Sequence, residues 1–297
     1  MELNHLVGAL SGLTAALVWT VASFLFRRLG HVWSPNALNL LKGLIAFGLI
    51  ALILSAEGWV LPGRAPALAL AVSGIVGIAL GDNLFFGALN RIQVQRTLII
   101  AQNGAPLFTV VLAWLFLGEQ LSWTAYTALL IVLSGITLSI LADGFERLKH
   151  DRTYRLGLLM AFSAALLQAV GAVLTRHAFS LADVGVFMAT EIRLGAALVF
   201  LLLFQLFPNR RKRMIYRTGE RKWLLLLTAS VIGALGGLTF QQAAFKYTFA
   251  SIAQTLIASS SLMGMLFMLL RGSRPKPLAW VGVGLALAGI MLLFSVI

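Results

Sequence analysis

The sequence predicts an all-α polytopic membrane protein of about ten transmembrane helices, arranged as two inverted five-helix repeats. Three observations carry this reading. Hydrophobic residues make up 60% of the 297 positions and charged ones only 11%, too few charges to cover a soluble domain of that length. About ten apolar runs follow one another, each near the roughly 20 residues a helix needs to cross a bilayer core. The chain also repeats itself. At an offset of 154, Leu112, Leu115, Gly118, Ala125, Leu133, Gly135 and Ile136 fall on Leu266, Leu269, Gly272, Ala279, Leu287, Gly289 and Ile290. At an offset of 149, Gly8, Leu10, Ala15, Ala16, Leu17, Leu25 and Arg27 fall on Gly157, Leu159, Ala164, Ala165, Leu166, Leu174 and Arg176.

The expected spans run in order. The first, 6–26, holds Trp19 at mid-membrane; it has no basic n-region or small-residue cleavage site before it and reads as a retained helix. The second, 35–56, carries Lys42. The third, 66–90, places Ser73, Gly74, Gly77 and Gly81 on one face, a packing seam for close backbone approach, and carries Asp82-Asn83 within it. The fourth, 95–117, is interrupted by Pro106 just after Gln102-Asn103-Gly104; the missing donor predicts a kink that frees a carbonyl near Gln102. The fifth, 123–142, closes the first repeat, 1–142. A loop over 143–155 leads to the second repeat, 156–297. Its spans are 156–178 with Gln168 at the position of Trp19, 183–207 with Glu191 and Arg193, 223–245 with Gly236, Gly237, Gln241 and Gln242, 250–271 with Gln254, Thr255 and Ser259 to Ser261, and 277–296. Trp33, Trp59, Trp123, Trp223 and Trp280 lie near segment ends, where indoles anchor in the headgroup layer.

Five spans per half invert the second repeat relative to the first. The formal charge is +13, but the basic residues sit in short connections, which points to membrane orientation and away from a nucleic-acid partner. Of the 23 Lys and Arg, Lys42 and Arg193 lie inside spans, and Arg64, Arg176 and Lys246 fall after even-numbered helices. All others fall after odd-numbered ones, in runs such as Arg210-Arg211-Lys212-Arg213. The positive-inside rule then places both termini outside the cell.

Charges at membrane depth cost about 2.5–3.5 kcal/mol each on the translocon scale and mark a lined cavity or a paired site. Lys42 lies roughly 10 Å into its helix at 1.5 Å per residue, so it either snorkels to the interface or pairs with Asp82, which is too short to snorkel and needs a partner, a proton or water. Arg193 aligns with Lys42 at an offset of 151, while the other half has Gly236 and Gly237 where the first has Asp82. Glu191 and Arg193, two apart on one helix, point to different faces. The expected substrate cavity therefore comprises Trp19, Lys42, Asp82, Asn83, Gln102, Asn103, Gln168, Glu191, Arg193, Gln241 and Gln254, with Asp82 and Glu191 as the candidate proton-coupling acids. Each amide taken singly also suits helix-to-helix hydrogen bonding.

Internal duplication in a polytopic chain is the usual trace of a secondary transporter, in which two related bundles rock about a site between them. The expected partners are a small-molecule substrate, the lipid bilayer and a coupling proton. No metal, cofactor or catalytic residue is expected: cysteine is absent, and there is no HExxH pair, nucleotide-binding glycine loop or Walker sequence. The alternative is a lipid or lipid-carrier flippase, since such a bundle can also open sideways to the bilayer. A membrane scaffold has no use for the buried charges.

Pro106-Leu107-Phe108, leading to Leu115-Phe116-Leu117-Gly118-Glu119 and then Gly135, resembles the EamA family of the drug/metabolite transporter superfamily. The resemblance extends over the whole chain, including the surroundings of Trp19 and the cation of the second helix. The second half departs from the pattern, with Ser260-Ser261 in place of the proline and Arg271-Gly272-Ser273 in place of the Gly-Glu turn. The resemblance implies a basket around a central cavity and a metabolite exporter, of amino acids or other small polar or amphipathic compounds. It also implies cytoplasmic termini, against which the basic-loop asymmetry is followed here.

Overall fold

The computed structural model describes residues 2–92, 97–142, 152–205, 220–270 and 276–295. They form ten helices: α1 (Glu2–Leu29), α2 (Pro35–Glu57), α3 (Arg64–Leu89), α4 (Ile99–Leu117), α5 (Trp123–Ala142), α6 (Arg152–Leu181), α7 (Val186–Gln205), α8 (Glu220–Tyr247), α9 (Ala250–Leu270) and α10 (Pro277–Phe294). Among the described residues, nine helices are long and apolar enough to cross a membrane, and α5 adds a shorter apolar stretch, Trp123–Leu138. Arg96, Arg147, Lys149, the basic run 210–217, Arg271 and Arg274 lie outside the described residues, as does most of the expected 143–155 loop.

The ends follow from local chemistry. Ser34 accepts the amide N–H of Ala37 through its hydroxyl, and Pro35, whose missing N–H is no loss in a first turn, starts α2. Gly118, at φ 64°, takes the left-handed turn that ends α4.

The two halves meet by reciprocal contacts. A Cβ on Gly135 of α5 would stand 2.4 Å from the backbone N of Ala286 in α10, and one on Gly289 of α10 would stand 2.7 Å from the backbone N of Val132 in α5. Gly135 maps to Gly289 and Val132 to Ala286 at the same offset of 154, so each helix presents to its partner the surface that the partner presents to it. That reciprocity is the mark of a two-fold relation. A second instance joins Gly8 of α1, against Tyr247 at the end of α8, to Gly157 of α6, against Ile92 just past α3. Because five spans separate equivalent helices, the partners run in opposite directions, and the axis lies across the bundle.

The same symmetry accounts for the identical pair Arg27 and Arg176. Arg27 donates to the carbonyls of Leu89 and Ile92, Arg176 to those of Phe245 and Lys246. Each cation serves the carbonyl end of the third helix of its own repeat. Lys246 adds bonds of 2.6 Å to the Asp183 carboxylate and 2.8 Å to the Val184 carbonyl, and this hydrogen bond holds the exposed Asp183 carboxyl below its ordinary range.

The main core joins α1, α2, α3, α6, α7, α8 and α9 through residues such as Trp19, Leu40, Ile78, Ala172, Leu194, Leu238 and Ile257. The α5–α10 pair packs to one side, sealed by Val132, Ile136, Ala279 and Ala286. One expectation is corrected: Trp33 is not a headgroup anchor. It is 1% exposed and packs edge-on to Trp223 with ring centroids 5.3 Å apart, pinning the α1–α2 turn to the start of α8. Trp123, by contrast, is 88% exposed.

Candidate functional site

Four helices lose regular α geometry around one central cleft. In α3 the stretch Gly74–Asp82 is wound as a π-helix, and in α8 the equivalent stretch Ser230–Gly237 is wound likewise. In α4, Ile99–Asn103 widens in the same way just before Gly104 and Pro106, and α9 breaks at Ser259 between Ala250–Ala258 and Ser260–Leu270. Wide turns of this kind concentrate at functional sites because they turn carbonyls and side chains out of helical register. At the break in α9 the Ser261 hydroxyl donates to the Ala258 carbonyl at 2.7 Å, and the Thr20 hydroxyl of α1 donates to the Ser260 carbonyl at 2.7 Å.

The seam of small residues on α3 positions the cleft. A Cβ on Gly74 would stand 2.1 Å from the Arg193 carbonyl oxygen, and Gly77 and Gly171 bring α3 and α6 into backbone contact. The Ser73 hydroxyl donates to the Gly171 carbonyl at 2.7 Å and lies 2.8 Å from the Thr175 hydroxyl. Larger residues there would hold α6 and α7 away from Asp82.

The cleft is lined by Trp19, Asp82, Gln102, Gln168, Arg193, Gln241 and Gln254, together with Ile78, Phe85, Ala101, Ala164, Leu238 and Ile257. Both repeats contribute. About 20 Å3 is left between these side chains, room for one water molecule, so a larger solute enters only when the helices part. Asp82 is held at both oxygens: Lys42 donates to Oδ2, and Gln168 donates to Oδ1 at 3.0 Å. Lys42 is fully buried, so it does not snorkel; its Nζ also lies 5.0 Å from the Phe86 ring and 5.5 Å from the Trp19 ring, a cation–π setting that helps hold a desolvated ammonium.

The remaining expected residues lie off the cleft. Lys42 stands behind Asp82. Asn83, next along α3, turns away and donates to Asn36 at 2.9 Å. Asn103 ties three helices together, reaching Thr137 of α5 at 3.4 Å and accepting from Ser261 of α9 at 3.1 Å. Glu191 is 4% exposed with neither carboxylate oxygen bonded among the described residues. Arg193, two positions on, faces the cleft instead.

The apolar lining was not singled out from the sequence, though a signal for it exists. Ile78 and Phe85 stand four before and three after Asp82, Ala164 four before Gln168, Leu238 three before Gln241, and Ile257 three after Gln254. Residues at those separations share a helix face. The carboxylate of the Gly-Glu turn has a role that its motif did not reveal. Glu119, in the turn after α4, accepts the backbone N–H groups of Ala250 and Ser251 at 2.8 and 3.4 Å and the Ser251 hydroxyl at 2.9 Å. It caps α9, whose own N-cap residue, Phe249, has no oxygen to offer.

Two reciprocal five-helix repeats closing on one polar cleft can be set beside known proteins. The sequence profile of the EamA-like transporter family matches residues 6–141 and again 155–295. The chain belongs to that family. An uncharacterized transporter of Synechocystis is 24% identical over 170 residues, covering 55% of this chain and 47% of that one. A protein of Streptantibioticus cattleyicolor named a probable terminal-alkyne amino-acid exporter is 27% identical over 191 residues, covering 64% of this chain and 60% of its own length. The chain thus spans about half the length of the first relative and three fifths of the second. A solved crystal structure superposes with a TM-score of 0.75 over 96% of this chain and 95% of that one, at 20% identity, and so shares the fold. This EamA-like chain is a multi-pass membrane protein.

Proposed function

We propose that the protein exports small polar or amphipathic metabolites, amino acids among them, by alternating access about the cleft between its repeats. The observation that carries this is the cleft itself: charged and amide side chains from both repeats converge where α3, α4, α8 and α9 leave regular helix. Rocking of residues 1–142 against 156–297 about a transverse two-fold exchanges the two openings. The exporter named among its relatives supports the direction, and Asp82 and Glu191, two of the three buried acids among the described residues, are the groups available to carry a coupling proton.

The test is flux in proteoliposomes loaded with labelled amino acids, with and without a pH gradient. Gradient-driven flux is expected, with solute exchange at zero gradient retained but gradient-driven accumulation lost in Glu191→Gln or in the double variant Lys42→Met/Asp82→Asn. The double variant removes the acid of the cleft without stranding its lysine. Accumulation at the unaltered rate in both variants would refute proton coupling through these acids, and absence of any solute movement would refute metabolite transport.

A further inference from the structure

The two repeats treat their second-helix cation differently. Lys42 of α2 is matched within its own repeat by Asp82 of α3. Arg193, the equivalent cation on α7, has no such acid, because the position of Asp82 in the second repeat is glycine. The π-helical stretches of α3 and α8 superpose at an offset of 155. A Cβ on Gly81 would meet the Val76 carbonyl oxygen at 3.3 Å and Leu167 at 3.6 Å; one on Gly236 would meet the Val231 carbonyl oxygen at 3.5 Å and Val18 at 3.6 Å. Gly236 therefore replaces Gly81, and Gly237 replaces Asp82. The partners agree with this alignment: Gln168 donates to Asp82, and the indole nitrogen of its counterpart Trp19 lies 3.1 Å from where a Cβ on Gly237 would stand.

Arg193 is consequently a buried cation in surplus. It is 2% exposed, it lines the cleft, and neither its Nε nor its Nη1 is hydrogen-bonded among the described residues. Asp82 lines the same cleft, but both its oxygens are already engaged by Lys42 and Gln168. Glu191, on the same helix, does not line it. A desolvated guanidinium with two of its nitrogens lacking acceptors is costly, and its planar fork of donors fits a carboxylate with two parallel bonds. One surplus positive charge is balanced by one negative charge, and the cleft walls of Ile78, Phe85, Leu238 and Ile257 suit an apolar body.

We propose that Arg193 receives the carboxylate of the transported molecule, so that the substrate class is small monocarboxylates with an apolar portion. The substrate supplies to the second repeat the negative charge that Asp82 supplies to the first. This rests on the transport reading, but its test does not require transport. Purified protein in detergent is melted in the presence of 4-methylpentanoate, 3-phenylpropanoate, leucine and phenylalanine, and in the presence of the corresponding amides at equal concentration. At least one acid is expected to raise the melting temperature where its amide does not. Arg193→Gln, checked for fold by circular dichroism and a monodisperse elution profile, is expected to bind that acid at least about tenfold more weakly. Arg193→Lys, which keeps the charge and loses the fork, is expected to fall between the two. The assignment is overturned if every acid acts like its amide on the unaltered protein, or if Arg193→Gln or Arg193→Lys retains the full response. Arginine-dependent binding without flux in liposomes would sink the transport reading and leave Arg193 assigned. Flux of phenethylamine together with indifference to all the acids would do the reverse.

Discussion

Lys42 and Asp82 show how one buried pair constrains two adjacent helices. Neither charge reaches water, and each is held only because the other is there, with Gln168 completing the carboxylate. Removing one member leaves the other uncompensated, an effect of about 3–5 kcal/mol for buried pairs. Asp82→Asn is therefore expected to lower the melting temperature strongly, and Lys42→Met introduced into the same molecule is expected to restore much of the loss. A double-mutant cycle in detergent measures the coupling; additive losses would show that the pair does not act as a unit. The same reasoning governs Arg193, whose charge no side chain on its own repeat balances among the described residues.

Helices α5 and α10 meet at the distance their glycines permit. A Cβ at Gly289 would lie 2.7 Å from the Val132 backbone nitrogen, whereas Gly284, on the same helix, has nothing within 4 Å of that position. Gly289→Val is expected to force the helices apart at a cost of about 1–3 kcal/mol or more, read as a lower melting temperature and a broadened elution profile, while Gly284→Ala leaves both unchanged. Equal behaviour of the two variants would contradict the seam. The start of α9 depends on a residue far away in sequence. Glu119→Ala removes the acceptor for the Ala250 and Ser251 amides and is expected to cost about 1 kcal/mol, as loss of an N-cap does. Faster hydrogen exchange confined to the first turn of α9 is the specific readout; unchanged exchange there would deny the cap.

The whole molecule inherits its orientation from charge that lies mostly in its connections. The positive-inside rule predicts that the turn after α4 faces out and the α1–α2 turn faces in. The chain has no cysteine, so single cysteines report sidedness directly. A membrane-impermeant maleimide applied to intact cells is expected to label Gln120→Cys and to spare His31→Cys until the membrane is opened; the two exposed positions labelling in the opposite order would reverse the topology.

Composition, the apolar period and the two offsets were enough to read the helices and their inverted duplication from the chain, because lipid imposes its length and polarity on each span separately. Buried charge was legible for the same reason: Lys42, Asp82, Glu191 and Arg193 stand out against an apolar background whatever surrounds them. Tertiary structure decided which of them share a cleft. Asn103 and Asn83 sit one residue from cleft-lining neighbours yet bond elsewhere, and Glu191 and Arg193 part company on a single helix, since rotation about a helix axis is fixed by packing at Gly74, Gly77 and Gly171 and is invisible in hydropathy. The π-helical turns, the capping of α9 by Glu119 and the exchange of Asp82 for Gly237 became meaningful only in three dimensions. Each depends on a contact between residues distant in the chain, and such contacts exist only once the two repeats have closed on one another.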